Sequence, residues 1–224
     1  MADGRRVLVT GASGGAGAGV LGAFLAGSWR IVAVARRDPP DEPEGVTWVQ
    51  ADLTGEDAAR AMVAEAVDTL GGLDALVCLT GGFSSTPIEE LGWGDFERQL
   101  AMSLRPTVEA IVTSLPVLRQ SDDGATIVTI GSQTALRPGA STGPYGAVKG
   151  AVATWSLSLG TGLRSAGIRV NRVLPGTIDT EANRDAMPEA NRDTWVSPRQ
   201  LGELIVYLSS PVSAPLTGAS IPIG

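Results

Sequence analysis

A tyrosine and a lysine at helical spacing are the residues of this chain best placed to do chemistry. Of its 17 lysine and arginine side chains a single one is lysine, Lys149, and it follows Tyr145 by four positions. Side chains four residues apart share one face of a helix, so the two are predicted to meet. A neighbouring ammonium lowers the pKa of a phenol, ordinarily about 10, so that it exchanges protons nearer neutral pH. The spacing indicates a proton-transfer pair; the alternative is an incidental surface pair.

Composition narrows the chemistry further. The 224 residues include no histidine, which excludes Ser-His-Asp hydrolysis, Cys-His proteolysis and His-ligated metal sites, and no metal is expected. The one cysteine, Cys78, lies in an apolar run, so a disulfide framework is excluded and a reducing compartment, the cytoplasm, is expected. A net charge of −7 makes nucleic acids and anionic membranes poor partners. The hydrophobic runs predict neither a signal peptide nor a membrane span.

Apolar, β-branched runs alternate with helical stretches, and these elements must position the pair. Strands that are apolar throughout and joined by helices are typical of a parallel sheet with right-handed crossovers. The sequence predicts an α/β fold, a doubly wound seven-stranded parallel sheet of the Rossmann type in a single domain over residues 1–224. The predicted strands are Val7–Thr10, Arg30–Val34, Thr47–Ala51, Ala75–Leu79, Thr126–Ile130, Arg169–Leu174 and Ser220–Ile223. The predicted helices are Gly15–Ala26, Glu56–Leu70, Trp93–Leu118 with a break near Pro106, Thr142–Ala166 and Pro198–Ser209, with a polar turn at Pro39–Gly45 and an irregular, lid-like segment at Thr177–Ser197.

A glycine-rich turn, Thr10–Gly17, joins the first predicted strand to a helix. Glycines let backbone N–H groups approach a pyrophosphate, and the helix N-terminus adds the positive end of its dipole. This context predicts nucleotide binding, although glycines also serve simply to make turns. The predicted contacts are Gly11, Ser13, Gly15, Ala16 and Gly17.

Residues after the second and third strands bear on which dinucleotide binds. A fold selective for NAD usually has an acid at the end of the second strand, whereas an arginine accommodates the 2′-phosphate of NADP. Position 35 is alanine and Arg36 follows, which favours NADP, with NAD as the alternative. Asp52 and Leu53 are also predicted to contact the cofactor, with Asp52 near the adenine. The simpler interpretations are a solvated arginine and an aspartate that starts a turn.

Together these motifs resemble the single-domain branch of the short-chain dehydrogenase/reductase family, over essentially the whole chain. Ser132 lies thirteen residues before Tyr145, at the position of that family's substrate-orienting serine. The other matching motifs are Thr10-Gly11-x-x-x-Gly15-x-Gly17, Tyr145-x-x-x-Lys149 and Asn171-x-x-x-Pro175-Gly176.

The resemblance implies a mechanism residue by residue. Tyr145 is expected to act as general acid towards a carbonyl oxygen that Ser132 holds. Lys149 is expected to bind the nicotinamide ribose and, with oxidised nicotinamide, to lower the pKa of Tyr145. The hydride chemistry belongs to the cofactor. Implied cofactor contacts are Gly81, Tyr145, Lys149, Pro175, Gly176, Ile178 and Thr180.

The chain departs from the family pattern in two places. Cys78-Leu79-Thr80-Gly81 replaces the usual Asn-Asn-Ala-Gly after the fourth strand, and Ser103 stands where the family has its catalytic asparagine. Ser103 is expected to keep the proton relay, partly through its backbone carbonyl, or to reroute it. The stretch Cys78–Phe83 and the surroundings of Tyr145 are also similar to dihydropteridine reductases, a branch that tends to prefer NADH and so conflicts with Arg36.

The leading interpretation is an NADP(H)-dependent reductase of a carbonyl or imine in a mid-sized, largely uncharged small molecule. The alternative is a cofactor-binding sensor or scaffold without turnover; the missing asparagine favours it, and the retained Ser132, Tyr145 and Lys149 oppose it. A homodimer or homotetramer built through Trp93–Leu118 and Thr142–Ala166 is expected, because the second helix is apolar around several faces. An apolar substrate pocket is predicted from Phe83, Leu136, Ile178, Met187 and Trp195.

Overall fold

A sheet of parallel strands runs through the molecule, and the computed structural model describes residues 4–37 and 43–224. Its strands are β1 (Arg6–Thr10), β2 (Arg30–Ala35), β3 (Val46–Gln50), β4 (Ala75–Cys78), β5 (Ala125–Ile130), β6 (Ile168–Pro175) and β7 (Ser220–Ile223). Within these residues all seven strands form one sheet with the order β3-β2-β1-β4-β5-β6-β7. The order reverses between β1 and β4, and in open α/β sheets ligands bind at the carboxyl ends of the strands beside such a point.

Helices cover both faces of this sheet. On one face pack α1 (Gly17–Ala26) and α7 (Pro198–Ser209); on the other pack α2 (Glu56–Leu70), α4 (Arg105–Leu118) and α5 (Gly143–Gly162). The short helices α3 (Trp93–Gln99) and α6 (Glu181–Ala186) lie in the connections after β4 and β6. Among the helices of the described residues, none combines the length and apolarity needed to cross a bilayer.

Alternate residues of the strands enter two separate hydrophobic cores. Val7 and Val9 of β1 meet Val20 and Phe24 of α1, whereas Leu8 faces the opposite core with α2 and α4. All five of these side chains are fully buried. Burial on both faces explains why the inner strands are apolar along their whole length, since no position is left for a solvated residue.

The predicted fold is confirmed, and each predicted strand ends within one residue of the observed one. The long helix Trp93–Leu118 breaks at a π-helical segment, Leu100–Leu104, that ends before Pro106. The helix predicted from Gly15 begins two residues later, at Gly17. The helix predicted over Thr142–Ala166 ends at Gly162 and is followed by a short 3-10 turn.

Two predicted irregular segments are only partly as expected. Thr177–Ser197 contains α6, which Thr180 caps by accepting the N–H of Asn183 at 3.3 Å. The turn predicted at Pro39–Gly45 falls mainly outside the described residues. Its last residues are described, and Gly45 there has a φ of 86°, which favours glycine.

Ion pairs and hydrogen bonds close the amino-terminal edge of the sheet. Asp74, just before β4, accepts bonds from the Nε and Nη2 of Arg6 at 3.0 and 2.8 Å and from the hydroxyl of Ser121 at 2.8 Å. Arg169, near the start of β6, donates to carbonyl oxygens at the end of α7, including that of Ser210 at 2.9 Å. These bonds join β1, β4, β6 and α7 at the edge opposite the candidate site.

Candidate active site

The turn between β1 and α1 presents bare backbone at the carboxyl edge of the sheet. Gly11 has a φ of 70°, and a Cβ there would lie 2.6 Å from the backbone nitrogen of Thr80. A Cβ on Gly17 would lie 1.6 Å from the carbonyl oxygen of Ala12, so only glycine fits. Ser13 is exposed, and α1 begins just after Ala16 with no cap from any described side chain. The N–H of Gly17 donates to the carbonyl oxygen of Gly14 at 2.8 Å, whereas those of Ala18 and Gly19 have no partner in the described residues and are left for a ligand such as a pyrophosphate.

β1 and β4 are joined directly below this turn. The N–H of Leu79 donates to the carbonyl oxygen of Thr10 at 3.0 Å, and the hydroxyl of Thr80 donates to that of Thr10 at 2.9 Å. The paired hydroxyls fix the chain that leads to Gly81 without the asparagines of the family pattern. Burial raises the pKa of the neighbouring Cys78 thiol to about 12, against a hydrogen bond with Thr10 that lowers it. The thiol is therefore neutral and unreactive at physiological pH.

Lys149 is buried on α5 at the centre of the site. It is 5% exposed, and its Nζ donates to the carbonyl oxygen of Ile130 at 2.9 Å. A Cβ on Gly81 would lie 2.9 Å from that Nζ, so the ammonium lies against the residues that follow β4. Burial lowers the pKa of Lys149 to about 8, because a charged ammonium is poorly stabilised away from water.

Tyr145 lies one helical turn before Lys149 and bonds Ser132 through their side chains. Ser132 follows the end of β5 by two residues, and its hydroxyl accepts the N–H of Thr134 at 3.1 Å. Burial raises the pKa of Tyr145 more than the bond from Ser132 lowers it. Lys149 is not among the groups that shift this pKa; its Nζ donates to the carbonyl oxygen of Ile130.

Ser103 lies in the π-helical segment between α3 and α4, a local geometry that is frequent at functional sites. Its side chain is fully buried, and its hydroxyl has no hydrogen-bond partner among the described residues. A Cβ on Gly81 would lie 3.3 Å from this hydroxyl and 2.9 Å from the Nζ of Lys149. The carbonyl of Ser103, the group expected to hold the relay, already accepts the hydroxyl of Thr107 at 2.7 Å. The unpaired hydroxyl is therefore a second polar group beside Lys149, in addition to the carbonyl oxygen, which can accept one more bond.

The residues predicted to bind the adenosine end also lie along this edge. Arg36 follows β2 and is exposed. Asp52 is exposed after β3, and its Oδ1 accepts the N–H of Thr54 at 3.2 Å, so it also starts a turn. Leu53 is 6% exposed and packs in the core, which leaves only its backbone for a cofactor contact.

The segment after β6 faces the glycine-rich turn from the other side. Pro175 ends β6, and the N–H of Gly176 donates to the carbonyl oxygen of Ile223 in β7 at 2.9 Å. A Cβ on Gly15 would lie 2.8 Å from the Cγ2 of Thr180. Ile178 is partly buried against the core. The structure therefore brings together Gly15 and Thr180, which are far apart in sequence.

The residues predicted to form a substrate pocket differ in their observed contacts. Phe83 contacts Tyr145, with ring centroids 5.1 Å apart and planes at 75°. Leu136 lies close in sequence to Ser132 but is 64% exposed. Met187 follows α6, and the ring of Trp195 packs under the guanidinium of Arg192 at 5.4 Å. Phe83 is the member of the set with a demonstrated contact to the tyrosine.

Comparison with known proteins decides the family. A family model described as short chain dehydrogenase matches residues 5–191. The chain belongs to the short-chain dehydrogenase family. It is therefore an oxidoreductase of that class, and the residues matched include the glycine-rich turn and the Tyr145–Lys149 pair.

Individual members of the short-chain dehydrogenase family match nearly the whole chain. L-rhamnose 1-dehydrogenase (NAD(P)(+)) of Sphingomonas sp. (strain SKA58) is 29% identical over 98% of this chain and 94% of its own. Glucose 1-dehydrogenase of Gluconobacter oxydans (strain 621H) is 28% identical over 97% of this chain and 90% of its own. A solved structure from Brucella melitensis, described as a short-chain dehydrogenase/reductase of the glucose/ribitol dehydrogenase type, has a TM-score of 0.89 and 28% identity over 98% of this chain and 94% of that one.

Sequence reasoning missed several residues that shape the site of this short-chain dehydrogenase. The hydroxyl of Thr10 accepts a bond from that of Thr80, and the hydroxyl of Thr107 donates to the carbonyl oxygen of Ser103. The side chain of Gln99 bonds the loop that carries Phe83. Gln99 gave a signal, since a glutamine among the buried positions of a short helix must bond something. No sequence signal identifies the hydrogen-bond partner of Lys149, because that partner is the backbone carbonyl of Ile130.

Proposed function

We propose that this short-chain dehydrogenase uses NADP(H) to interconvert a carbonyl (or imine) and the corresponding alcohol (or amine) of a mid-sized, uncharged substrate. The observation that carries the proposal is the convergence of Ser132, Tyr145 and Lys149 beside Gly81 at the carboxyl edge of the sheet. A bound nicotinamide supplies or accepts the hydride. The protein's own part is binding, orientation and proton transfer.

The residues present fit a dinucleotide. In the described residues the N–H groups of Ala18 and Gly19 in the first turn of α1 are left for a pyrophosphate, and a side chain at Gly17 or Gly11 would clash with backbone. Thr180 lies against Gly15 and would close the other side of the same groove. Lys149, whose Nζ has one protein partner in the described residues, would hold the nicotinamide ribose with its remaining N–H bonds.

The protonation states suit reduction at neutral pH. Burial keeps the phenol of Tyr145 protonated, which is the form a general acid needs. The same phenol bonds Ser132, so a carbonyl oxygen placed between the two hydroxyls would accept a hydrogen bond from each. Lys149, with a pKa of about 8, is mainly cationic at pH 7 and would stabilise negative charge that develops on the oxygen.

We propose NADP as the preferred cofactor. Arg36 follows β2 where a 2′-phosphate would lie, and position 35 is Ala, which leaves no carboxylate there to repel the phosphate. One relative carries NAD(P)(+) in its name, which is compatible with either cofactor.

The substrate is proposed to be uncharged. Lys149 is a buried cation at this site, and the cofactor would occupy it. The named activities of two relatives concern L-rhamnose and glucose, which are uncharged rings of moderate size. A panel of sugars, alicyclic ketones, aldehydes and imines with NADPH and NADH, followed by nicotinamide absorbance, tests the proposal. Turnover of no member by a folded, NADPH-binding protein would favour the sensor alternative.

We also propose a homo-oligomer, but with a smaller apolar surface than the sequence indicates. On α5, Trp155 and Leu159 pack against the core. Leu157 of α5 is 41% exposed and Val112 of α4 is 51% exposed, and both helices cover the same face of the sheet. Light scattering at micromolar concentration should give two or four times the mass of one chain; a single-chain mass would contradict the proposal.

A further inference from the structure

Phe83 is an aromatic side chain that is both exposed and fixed at the reacting end of the site. It is 62% exposed, yet the edge of one ring meets the face of the other in its contact with Tyr145, at 5.1 Å between centroids. Exposed aromatic rings are common singly on protein surfaces. One that packs on the proposed general acid needs a further reason, because the exposed part of its ring is open to whatever reaches that acid.

A buried amide holds the backbone on both sides of Phe83. Gln99 of α3 is fully buried. With its amide oriented to complement its neighbours, its nitrogen donates to the carbonyl oxygen of Gly82 at 3.2 Å, and its oxygen accepts the N–H of Ser84 at 3.2 Å and the hydroxyl of Ser84 at 2.7 Å. One side chain therefore bonds both residues that flank the ring, as a neighbouring strand would.

A second anchor fixes the loop three residues further on. The N–H of Thr86 donates to the carbonyl oxygen of Ser141 at 2.9 Å, and its hydroxyl donates to Asp95 at 3.0 Å. Ser141 lies just before α5, which carries Tyr145. The loop is thus tied to α3 and to the residues just before α5, so the ring of Phe83 keeps its position relative to the phenol of Tyr145.

We propose that Phe83 is a platform on which a six-membered substrate ring lies with its C–H face against the aromatic ring. Gln99 is the positioning residue that holds this platform. The inference rests on the proposed function and names a substrate class for it: cyclic, uncharged molecules with an apolar face, either sugar pyranoses or alicyclic compounds. A ring fixed before binding costs little entropy on association, so its contact adds to affinity and orientation.

A matched pair of substrates tests the platform. Cyclohexanone and 2-hexanone have the same number of carbon atoms, but only the first presents a ring face. Phe83→Ala should lower kcat/KM for cyclohexanone roughly 3- to 10-fold more than for 2-hexanone, the size of one aromatic face contact. An added pyranose arm, oxidation of L-rhamnose or D-glucose, shows whether sugars share the effect.

The control is an apolar residue as exposed as Phe83 at the opposite edge of the sheet. Val212 is 76% exposed and lies beside Ser213, which bonds Arg169 there. Val212→Ala should leave both substrates unchanged. Gln99→Leu keeps the size of the side chain but loses its hydrogen bonds, and it should raise KM for cyclohexanone while kcat for 2-hexanone stays near wild type.

A binding measurement separates the platform from the chemistry. NMR titration of the holoenzyme with cyclohexanol and 1-hexanol should show that Phe83→Ala weakens the binding of cyclohexanol more than the binding of 1-hexanol. Equal losses for ring and open-chain compounds, in turnover and in titration, would overturn the platform and leave the proposed function intact. A wild-type enzyme that turns over neither ketone and no sugar, despite binding NADPH, would instead contradict the proposed function on which the platform depends.

Discussion

The charged groups at the two edges of the sheet are paired to different degrees. At the amino-terminal edge, Asp74 accepts bonds from Arg6 and Ser121, and Arg169 donates to several carbonyl oxygens of one helix end. At the carboxyl-terminal edge, the ammonium of Lys149 has one carbonyl partner, and the hydroxyl of Ser103 has none in the described part of the chain.

The pKa values express this difference. Burial acts to raise the pKa of Asp74, but the bonds from Arg6 and Ser121 outweigh it and hold that pKa at about 2. Burial acts on Lys149 without such compensation and lowers its pKa to about 8. A paired charge stabilises the fold, whereas an uncompensated one costs stability and is kept where chemistry needs it. Changes at one edge should therefore move stability, and changes at the other should move activity.

The largest expected effect is at the carboxyl edge. Tyr145→Phe should reduce kcat about 100-fold or more with cofactor binding retained, because general acid catalysis typically supplies that factor. The second tyrosine, Tyr207 of α7, is partly exposed, and Tyr207→Phe is the matched control. Steady-state kinetics that kept more than about a tenth of wild-type kcat in Tyr145→Phe would remove Tyr145 from its proposed role.

Lys149 should reveal a cost in stability that depends on pH. Below pH 8 the folded protein keeps an ammonium in a buried site, whereas the unfolded chain solvates it; that penalty fades as pH rises from about 8 to 10.5, where both forms become neutral. The free-energy difference between Lys149→Met and wild type, measured by denaturation without cofactor, should shift against the variant by roughly 3 kcal/mol from pH 7 to 10.5.

The comparison between variant and wild type is needed because Cys78 opposes the trend. The pKa of its thiol is raised in the folded protein, so ionisation of Cys78 favours the unfolded chain as pH rises above 9. This effect is the same in both proteins and cancels when their free energies of unfolding are subtracted. A difference that does not change with pH would mean that Lys149 titrates normally in the folded protein. Activity of Lys149→Met should be lost at every pH.

Arg36 tests whether the carboxyl edge also selects the cofactor. Arg36→Ala should raise the Michaelis constant for NADPH about one to two decades and leave that for NADH nearly unchanged, because a charge-assisted bond to phosphate is worth roughly 1.5–3 kcal/mol. Arg37→Ala, the adjacent exposed arginine, is the control. Equal changes with both cofactors would show that Arg36 is only a solvated residue.

The amino edge should show the reverse pattern. Asp74→Asn places an NH2 group among donors from Arg6 and should lower Tm by roughly 3–10 °C without changing kcat. The stability from Asp74 is present above pH 3.8 and is lost as pH falls towards 2, so the difference from Asn should narrow in acid. Asp122→Asn, at an exposed position nearby, is the control. A large fall in kcat would break the division between the edges.

The smallest effect is expected at Ser103. Ser103→Asn should keep or modestly raise kcat by restoring the family's side chain next to Lys149, whereas Ser103→Ala should lower it only slightly if the backbone carbonyl suffices. Ser114 is another fully buried serine with an unpaired hydroxyl, on α4, so Ser114→Ala controls for burial alone. Complete loss of kcat in a folded Ser103→Ala would mean that the hydroxyl is essential.

Local patterns determined most of the fold in advance. Unbroken β-branched runs predict the inner parallel strands, and these were found within one residue because burial on both faces leaves no polar position to blur the ends. The edge strands β3 and β7 were found equally well although they are only partly buried. Helix α6 was missed because it is polar and only six residues long, too short to show an apolar periodicity. Thr180 as a capping residue was the clearer indication of a helix start.

For the site, the sequence by itself determined which residues meet when the contact is local or follows from strand order. Tyr145 and Lys149 share a helix face, and the carboxyl ends of parallel strands must gather Gly11, Gly81 and Ser132 at one edge. Only the tertiary structure decided what those groups bond. The ammonium of Lys149 is bonded to the carbonyl of Ile130, the amide of Gln99 holds the loop of Phe83, and the pKa of Tyr145 rises. Burial and backbone partners set these properties, and neither is written in the spacing of side chains.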